Sequence, residues 1–176
     1  NKFLIYNQDW KIKNHYLLYK NLKLNLKNLS LLGDHQYMNA ACAILACLKS
    51  NELQINPNKI EKYLSKIKWQ GRLQSLKGNL QRKFMNLNLW IDAAHNVLGF
   101  RILVNWILKN NIKNPVFIIS LGIRKDYVNI LKEIKKVNPI NMYLLTEVNF
   151  NNQCPYRILK LAKKLNIKAT VSENIL

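Results

Sequence analysis

Apolar positions along the chain follow two regimes. From Lys11 to Leu29 they alternate with polar ones, most regularly in LKLNLKNL (22 to 29), which is the period of a half-exposed strand. Phe3 to Tyr6 reads as a further short strand, and Gly33 ends this region. His35 to Lys49, containing AACAILACL, reads as a helix whose small residues permit close packing, with Cys42 and Cys47 as buried, reduced thiols. Asn56 and Pro57 open a second helix that runs to about Lys66, with proline in its first turn. The tripeptide Trp69-Gln70-Gly71 and Arg72 interrupt the pattern, and the short alternation RLQSL follows.

From about residue 86 the pattern becomes regular. Leu87, Leu89, Trp90 and Ile91 predict a buried strand over 87–91, and Val97, Phe100, Val104, Ile107 and Leu108 recur at helical spacing within 96–110. Pro115 then starts the strand VFIISL, a helix runs from Tyr127 to about Val137, and INMYLL (140 to 145) is the next strand. Pro155 opens another helix to Leu165, and IKATV (167 to 171) closes the series. Strands alternating with helices of this length predict an α/β fold, a largely parallel sheet flanked by helices. A boundary near Trp69 separates this part from the one before it.

Composition narrows the function classes. The chain has 176 residues, 49% of them hydrophobic, with a mean hydropathy of −0.17, so it is globular rather than disordered. No apolar run reaches the ~18 residues of a membrane span, and the N-terminal NKFLIYNQDWKIK lacks the apolar core of a secretory signal. Cys42, Cys47 and Cys154 show no metal-like spacing, and the cytoplasm is the expected compartment. A net charge of +19 invites a nucleic-acid reading. However, 23 of the 28 basic residues are Lys, beside 26 Asn and 19 Ile, the three residues that an A- and T-rich coding sequence inflates together. The lysines are scattered, and the doublets Lys135-Lys136 and Lys163-Lys164 fit solvated helix faces. The charge is therefore read as general surface charge, with no nucleic-acid partner.

Three polar clusters could carry chemistry. In LLGDHQYMNAACAIL (31 to 45), Gly33 allows a sharp turn, Asp34 can cap the following helix, and Asn39 lies one turn inside it. In WQGRLQ (69 to 74), an Arg held after a Gly suits bidentate phosphate recognition. In DAAHN (92 to 96), an acid, a histidine and an asparagine sit where a strand hands over to a helix, the edge at which open α/β sheets bind ligands. Taken singly, each has a plain alternative: a capped helix, a surface Arg in a linker, and an aspartate that caps a helix beside a locally packed histidine.

In order along the chain, the three resemble the folylpolyglutamate synthase and dihydrofolate synthase family of the Mur ligase superfamily. That family carries G-x-x-Q-x-x-N-A at a helix start, then W-P-G-R-[LFM]-[EQ], then D-G-A-H-N at a strand end. Here they stand as Gly33-Asp34-His35-Gln36 with Asn39-Ala40, Trp69-Gln70-Gly71-Arg72-Leu73-Gln74, and Asp92-Ala93-Ala94-His95-Asn96. LGIRKD, with Gly122, Lys125 and Asp126, fits the family's G-x-x-x-K-D. The resemblance implies a Rossmann-like C-terminal Mur ligase domain over 69–176, preceded by the tail of the central ATPase domain over 1–68. It also implies an ATP- and Mg²⁺-dependent ligase. ATP phosphorylates a carboxylate of a pteroate or folate, and the amine of L-glutamate attacks the acyl phosphate. By motif, Asn39 contacts the adenine side, Arg72 the phosphates, and Asp92 the ribose hydroxyls. His95 lies near ribose and phosphates, Asn96 orients the loop, and Lys125 and Asp126 face the folate or glutamate. No catalytic residue and no metal ligand is assigned within the chain.

Two departures stand out: Gln70 replaces the family's Pro, and Ala93 its Gly, which strains the loop only if that position needs a positive φ. The family's G-K-[ST] phosphate loop, magnesium-binding residues and carbamylated lysine have no counterpart among these residues. The chain begins at Asn1, has its first Met at Met38, and ends in SENIL (172 to 176). The expectation is a piece of a longer ligase that is inactive alone, completed by a separately made N-terminal chain if the gene is split. The alternatives are a non-catalytic remnant or subunit of a split folate ligase, and a muramyl-type ligase, whose D-Y-A-H-x-P pattern fits less well.

Overall fold

The computed structural model describes residues 3–50, 52–145 and 153–172, arranged in two compact units, Asn1–Asp92 and Ala93–Leu176. Residues 173–176 of the SENIL ending, and Asn1, lie outside the described residues.

In the first unit the alternating segment becomes an antiparallel meander: β1 (Trp10–Lys13), β2 (Tyr16–Tyr19) and β3 (Leu22–Asn25). Asn14 and His15 join β1 to β2 with φ of 50° and 64°, the left-handed pair that a two-residue hairpin turn requires. Leu17 and Leu24 face each other across β2 and β3 and are buried with Trp10 and Leu26. Against them pack α1 (His35–Lys49), through Ala41, Ile44 and Leu45, and α2 (Pro57–Leu64), through Leu64. Asn56 caps α2 by accepting from the Asn58 N–H at 3.0 Å. Two local expectations fail here. Phe3 to Tyr6 forms no strand beyond an isolated bridge from Tyr6 to Trp10, because a turn at 7–9 folds it back at once. Cys42 is exposed and Cys47 half-buried, since the core side of α1 carries Ala41, Ile44 and Leu45 instead.

The unit closes with β4 (Gln74–Ser75), the short α3 (Asn79–Lys83) and β5 (Trp90–Ile91). The strand expected over 87–91 shrinks to β5 and pairs antiparallel with β4, outside the parallel sheet. Its backbone is engaged there, because the Leu76 N–H also donates to the Leu89 carbonyl at 2.9 Å, and Trp90 and Ile91 stay exposed.

The second unit is the expected α/β arrangement. After α4 (Val97–Lys109), strands β6 (Val116–Ile119), β7 (Asn141–Leu145) and β8 (Ala169–Ser172) form a parallel sheet, connected through α5 (Tyr127–Lys135) and α6 (Pro155–Lys164). Phe117, Met142 and Leu144 point to one face and meet Ile130, Leu131 and Ile134 of α5 and Ile158 and Ala162 of α6. Phe100 and Ile107 of α4 join the same core. Glu133 on α5 is buried but paired, accepting from Arg101 Nε at 3.1 Å and from Lys136 Nζ at 2.5 Å, which ties α4 to α5. Lys135, Lys136, Lys163 and Lys164 lie on exposed helix faces, as the doublets suggested.

Ile130 is fully buried at the centre of this core. Ile130→Ala is expected to lower the unfolding free energy by about 2–5 kcal/mol, read by urea unfolding followed by circular dichroism.

Candidate functional site

The residues singled out by sequence divide between the units. Asn39, Arg72 and Asp92 belong to the first, and His95, Asn96, Lys125 and Asp126 to the second.

In the first unit the local structure is set by two tight turns. Gly33 (φ 102°) turns the chain into α1, and its carbonyl accepts from the Gln36 N–H at 2.9 Å. Asp34 holds the cap position but makes no side-chain cap hydrogen bond, so its expected capping role is not seen. Gln36 is buried, and its Oε1 accepts from Asn39 Nδ2 at 3.1 Å, which orients the exposed Asn39 amide. The second turn is Gly71-Arg72-Leu73. Gly71 has φ 69°, its N–H donates to Gln74 Oε1 at 2.9 Å, and Leu73 has φ 44°. A left-handed leucine costs about 1–2 kcal/mol. Two contacts offset it: the Leu73 side chain is buried, and its N–H donates to Asp92 Oδ2 at 2.8 Å. Hydrogen bonds to a charged acceptor contribute about 1.5–3 kcal/mol. Asp92 at the end of β5 therefore pins the linker turn that presents the exposed Arg72.

His35 stands among these groups and was not singled out by sequence. A Cβ at Gly33 would come within 2.7 Å of its Cε1 and 3.4 Å of Leu73 Cδ1, so the ring and the leucine both pack against the Gly33 turn. Its Nδ1 is buried with no hydrogen-bond partner. Burial lowers the His35 pKa below 6.5, and Arg72 pushes the same way, while Asp92 and Asp34 oppose it. The signal available in the sequence was only its place, two residues after the turn glycine.

In the second unit, Asn96 caps α4, its Oδ1 accepting from the Gly99 N–H at 2.8 Å. The cap is closely packed, since a Cβ at Gly99 would sit 3.2 Å from the Ala94 Cβ and 3.3 Å from Asn96 Oδ1. Ala93 is not among the positive-φ residues, so replacing the family's glycine introduces no strain of that kind. The exposed His95 places Nδ1 3.0 Å from the Ala93 carbonyl at the start of α4, an end that favours anions. Lys125 closes the turn before α5 by donating its N–H to the Gly122 carbonyl. Asp126 caps α5: Oδ1 accepts from the Asn129 N–H at 3.1 Å and Oδ2 from Asn129 Nδ2 at 2.7 Å. The backbone N–H of Asn129 is the first cause that holds this carboxyl below its ordinary range. Among the described residues, no group of three or more His, Cys, Asp and Glu side chains is placed to hold a metal ion, and no helix is long and apolar enough to cross a membrane.

The architecture is that of an α/β unit with a parallel three-stranded sheet, and solved structures share it. E. coli FolC in complex with DHPP and ADP matches 96% of this chain with a TM-score of 0.72 at 20% identity. Mycobacterium tuberculosis folylpolyglutamate synthase complexed with ADP matches 96% with a TM-score of 0.73 at 17% identity. The folylpolyglutamate synthase of Thermotoga maritima matches 96% with a TM-score of 0.70 at 21% identity. The chain spans 38%, 39% and 40% of those chains respectively. It thus has the fold of part of a folylpolyglutamate synthase. No family model matches the chain, and no curated protein matches it.

Asp92→Ala is expected to lower the unfolding free energy by about 2 kcal/mol and Asp92→Asn by about 1 kcal/mol, measured by urea titration of tryptophan fluorescence. Equal stability of all three proteins would contradict the pinning role. Asn96→Ala should cost about 1 kcal/mol through loss of the α4 cap, with Asn96→Ser recovering most of it in thermal melts.

Proposed function

We propose that the chain is the C-terminal portion of an ATP-dependent ligase of the folylpolyglutamate and dihydrofolate synthase family, with residues 1–68 as the tail of its ATPase domain and 69–176 as its C-terminal domain. The observation that carries the reading is the Asp92–Leu73 hydrogen bond, which joins the W-x-G-R-L-Q linker to the aspartate of D-A-A-H-N. Two motifs that the resemblance links to one nucleotide are here linked by a bond. The shared fold with structures described as complexed with ADP supports the same reading.

In this proposal the nucleotide is held by the chain's own groups. A carboxylate offers about four lone-pair sites, so Asp92 accepts from the Leu73 N–H and from ribose hydroxyls together. Arg72, presented on its turn, pairs with phosphate oxygens through its planar fork of donors. Asn39 meets the adenine side. His95 sits near ribose and phosphates, and Asn96 fixes that loop by capping α4. Lys125 and Asp126 face the folate or dihydropteroate and L-glutamate, with Asp126 acting through the α5 start that it caps. ATP bound with a divalent ion, Mg²⁺ in this proposal, supplies the phosphoryl group. In this proposal the ligands of that ion belong to the N-terminal part of the ligase or to a separately made chain.

An isothermal or NMR titration of the 176-residue chain with ADP tests the reading. Binding should be in the millimolar range, on the order of −4 kcal/mol, and weaken several-fold in Asp92→Ala and Arg72→Ala. No ADP-dependent shift at Arg72 or Asp92, or tight salt-sensitive binding of DNA instead, would overturn it.

A further inference from the structure

We propose that His35 is the positioning residue of this nucleotide site: its ring and the Leu73 side chain both pack against the Gly33 turn, and the ring sets the linker turn on which Asp92 and Arg72 are aligned. The proposal rests on the nucleotide-site reading for its purpose, but its geometry stands apart from it.

Above the ring, Gly33 leaves no room for a side chain, since even a Cβ would sit 2.7 Å from Cε1 and 2.8 Å from Nδ1. Against the same glycine packs Leu73, the left-handed residue whose N–H is bonded to Asp92. Asp92, Arg72 and Asp34 all act electrostatically on the ring, so the charged groups of both other motifs are felt by one side chain on α1. A histidine is larger than packing against a glycine requires, and its Nδ1 is sealed from water without a partner. An unpartnered buried polar atom is retained at a cost of about 1–3 kcal/mol. The neutral ring fills the space under the turn and leaves the Asp92 carboxylate to Leu73. Protonation would bury a cation on a nitrogen without an acceptor, and the Arg72 charge opposes it.

The sign of the pH effect follows. Because the folded-state pKa lies below 6.5, the contribution of the neutral ring is fully present above pH 6.5 and is lost as pH falls through the lower folded value. The aligned turn is therefore a feature of the neutral imidazole, and acid loosens it.

Amide hydrogen exchange at Leu73 in the full chain is the readout, because that N–H reports the Asp92 bond directly. In His35→Ala its protection should fall at least tenfold, while the core amides of Leu17 and Leu45 keep theirs. In the native chain the protection of Leu73 should fall as the pH drops below 6.5 and through the lower folded value of His35, whereas in His35→Gln, which cannot take up a proton there, it should stay flat. The His35→Gln comparison separates the imidazole from any carboxylate that titrates in both proteins, and it stands if His35→Ala fails to fold. Unchanged Leu73 protection in a folded His35→Ala, or matching pH profiles for the native chain and His35→Gln, would overturn the proposal. Failure of ADP to bind while Leu73 protection still depends on His35 would count against the nucleotide reading alone.

Discussion

One hydrogen bond organises the candidate site, the 2.8 Å contact from the Leu73 N–H to Asp92 Oδ2. It spans 19 positions of sequence and closes the excursion through β4, α3 and β5 into a loop whose two ends carry Arg72 and Asp92. Without it, Leu73 would hold an unfavourable left-handed conformation with only its side-chain burial in compensation. The strain and the charge-assisted bond are of similar size, which makes the turn well defined yet open to adjustment by its surroundings.

That balance explains the use of a glycine-histidine pair at the start of α1. Gly33 provides the left-handed turn and the clearance, into which the His35 ring and the Leu73 side chain both pack. Neither residue needs to touch a ligand to matter. The rest of the first unit supports α1 from below: the β1–β2–β3 meander and α2 bury Leu17, Leu26 and Leu64 beneath it. The second unit is built differently, with consecutive parallel strands packing one face against α4, α5 and α6. Its polar residues Asn96 and Asp126 fix helix starts, α4 and α5 respectively, so each positions the loop just before it.

Much of this was legible in the residues. The helix over His35–Lys49 was read to its ends because Gly33 and the alanine-rich stretch bound it clearly. The α/β alternation after residue 96 was read equally well, since Pro115 and Pro155 punctuate it and the apolar periods are unambiguous. The strand over 87–91 was misread for a physical reason. Apolar residues in a row suit a buried parallel strand, but pairing is decided by which backbone is available, and here it is that of β4. The thiols were misplaced because AACAILACL is apolar around most of the helix, which leaves its periodicity too weak to choose a face. The role of His35 was hidden for a related reason: it depends on contacts between segments almost 40 positions apart, which no local pattern encodes.

The central claim is that Asp92 recognises a ribose from the turn that it also holds in place. A comparison of ADP with 2′,3′-dideoxy-ADP, titrated against the native chain and Asp92→Ala, tests it most directly. The account predicts that removing the ribose hydroxyls weakens binding to the native chain by about tenfold, roughly 1.4 kcal/mol, and makes no difference to Asp92→Ala. Equal affinity of the native chain for the two nucleotides would contradict it.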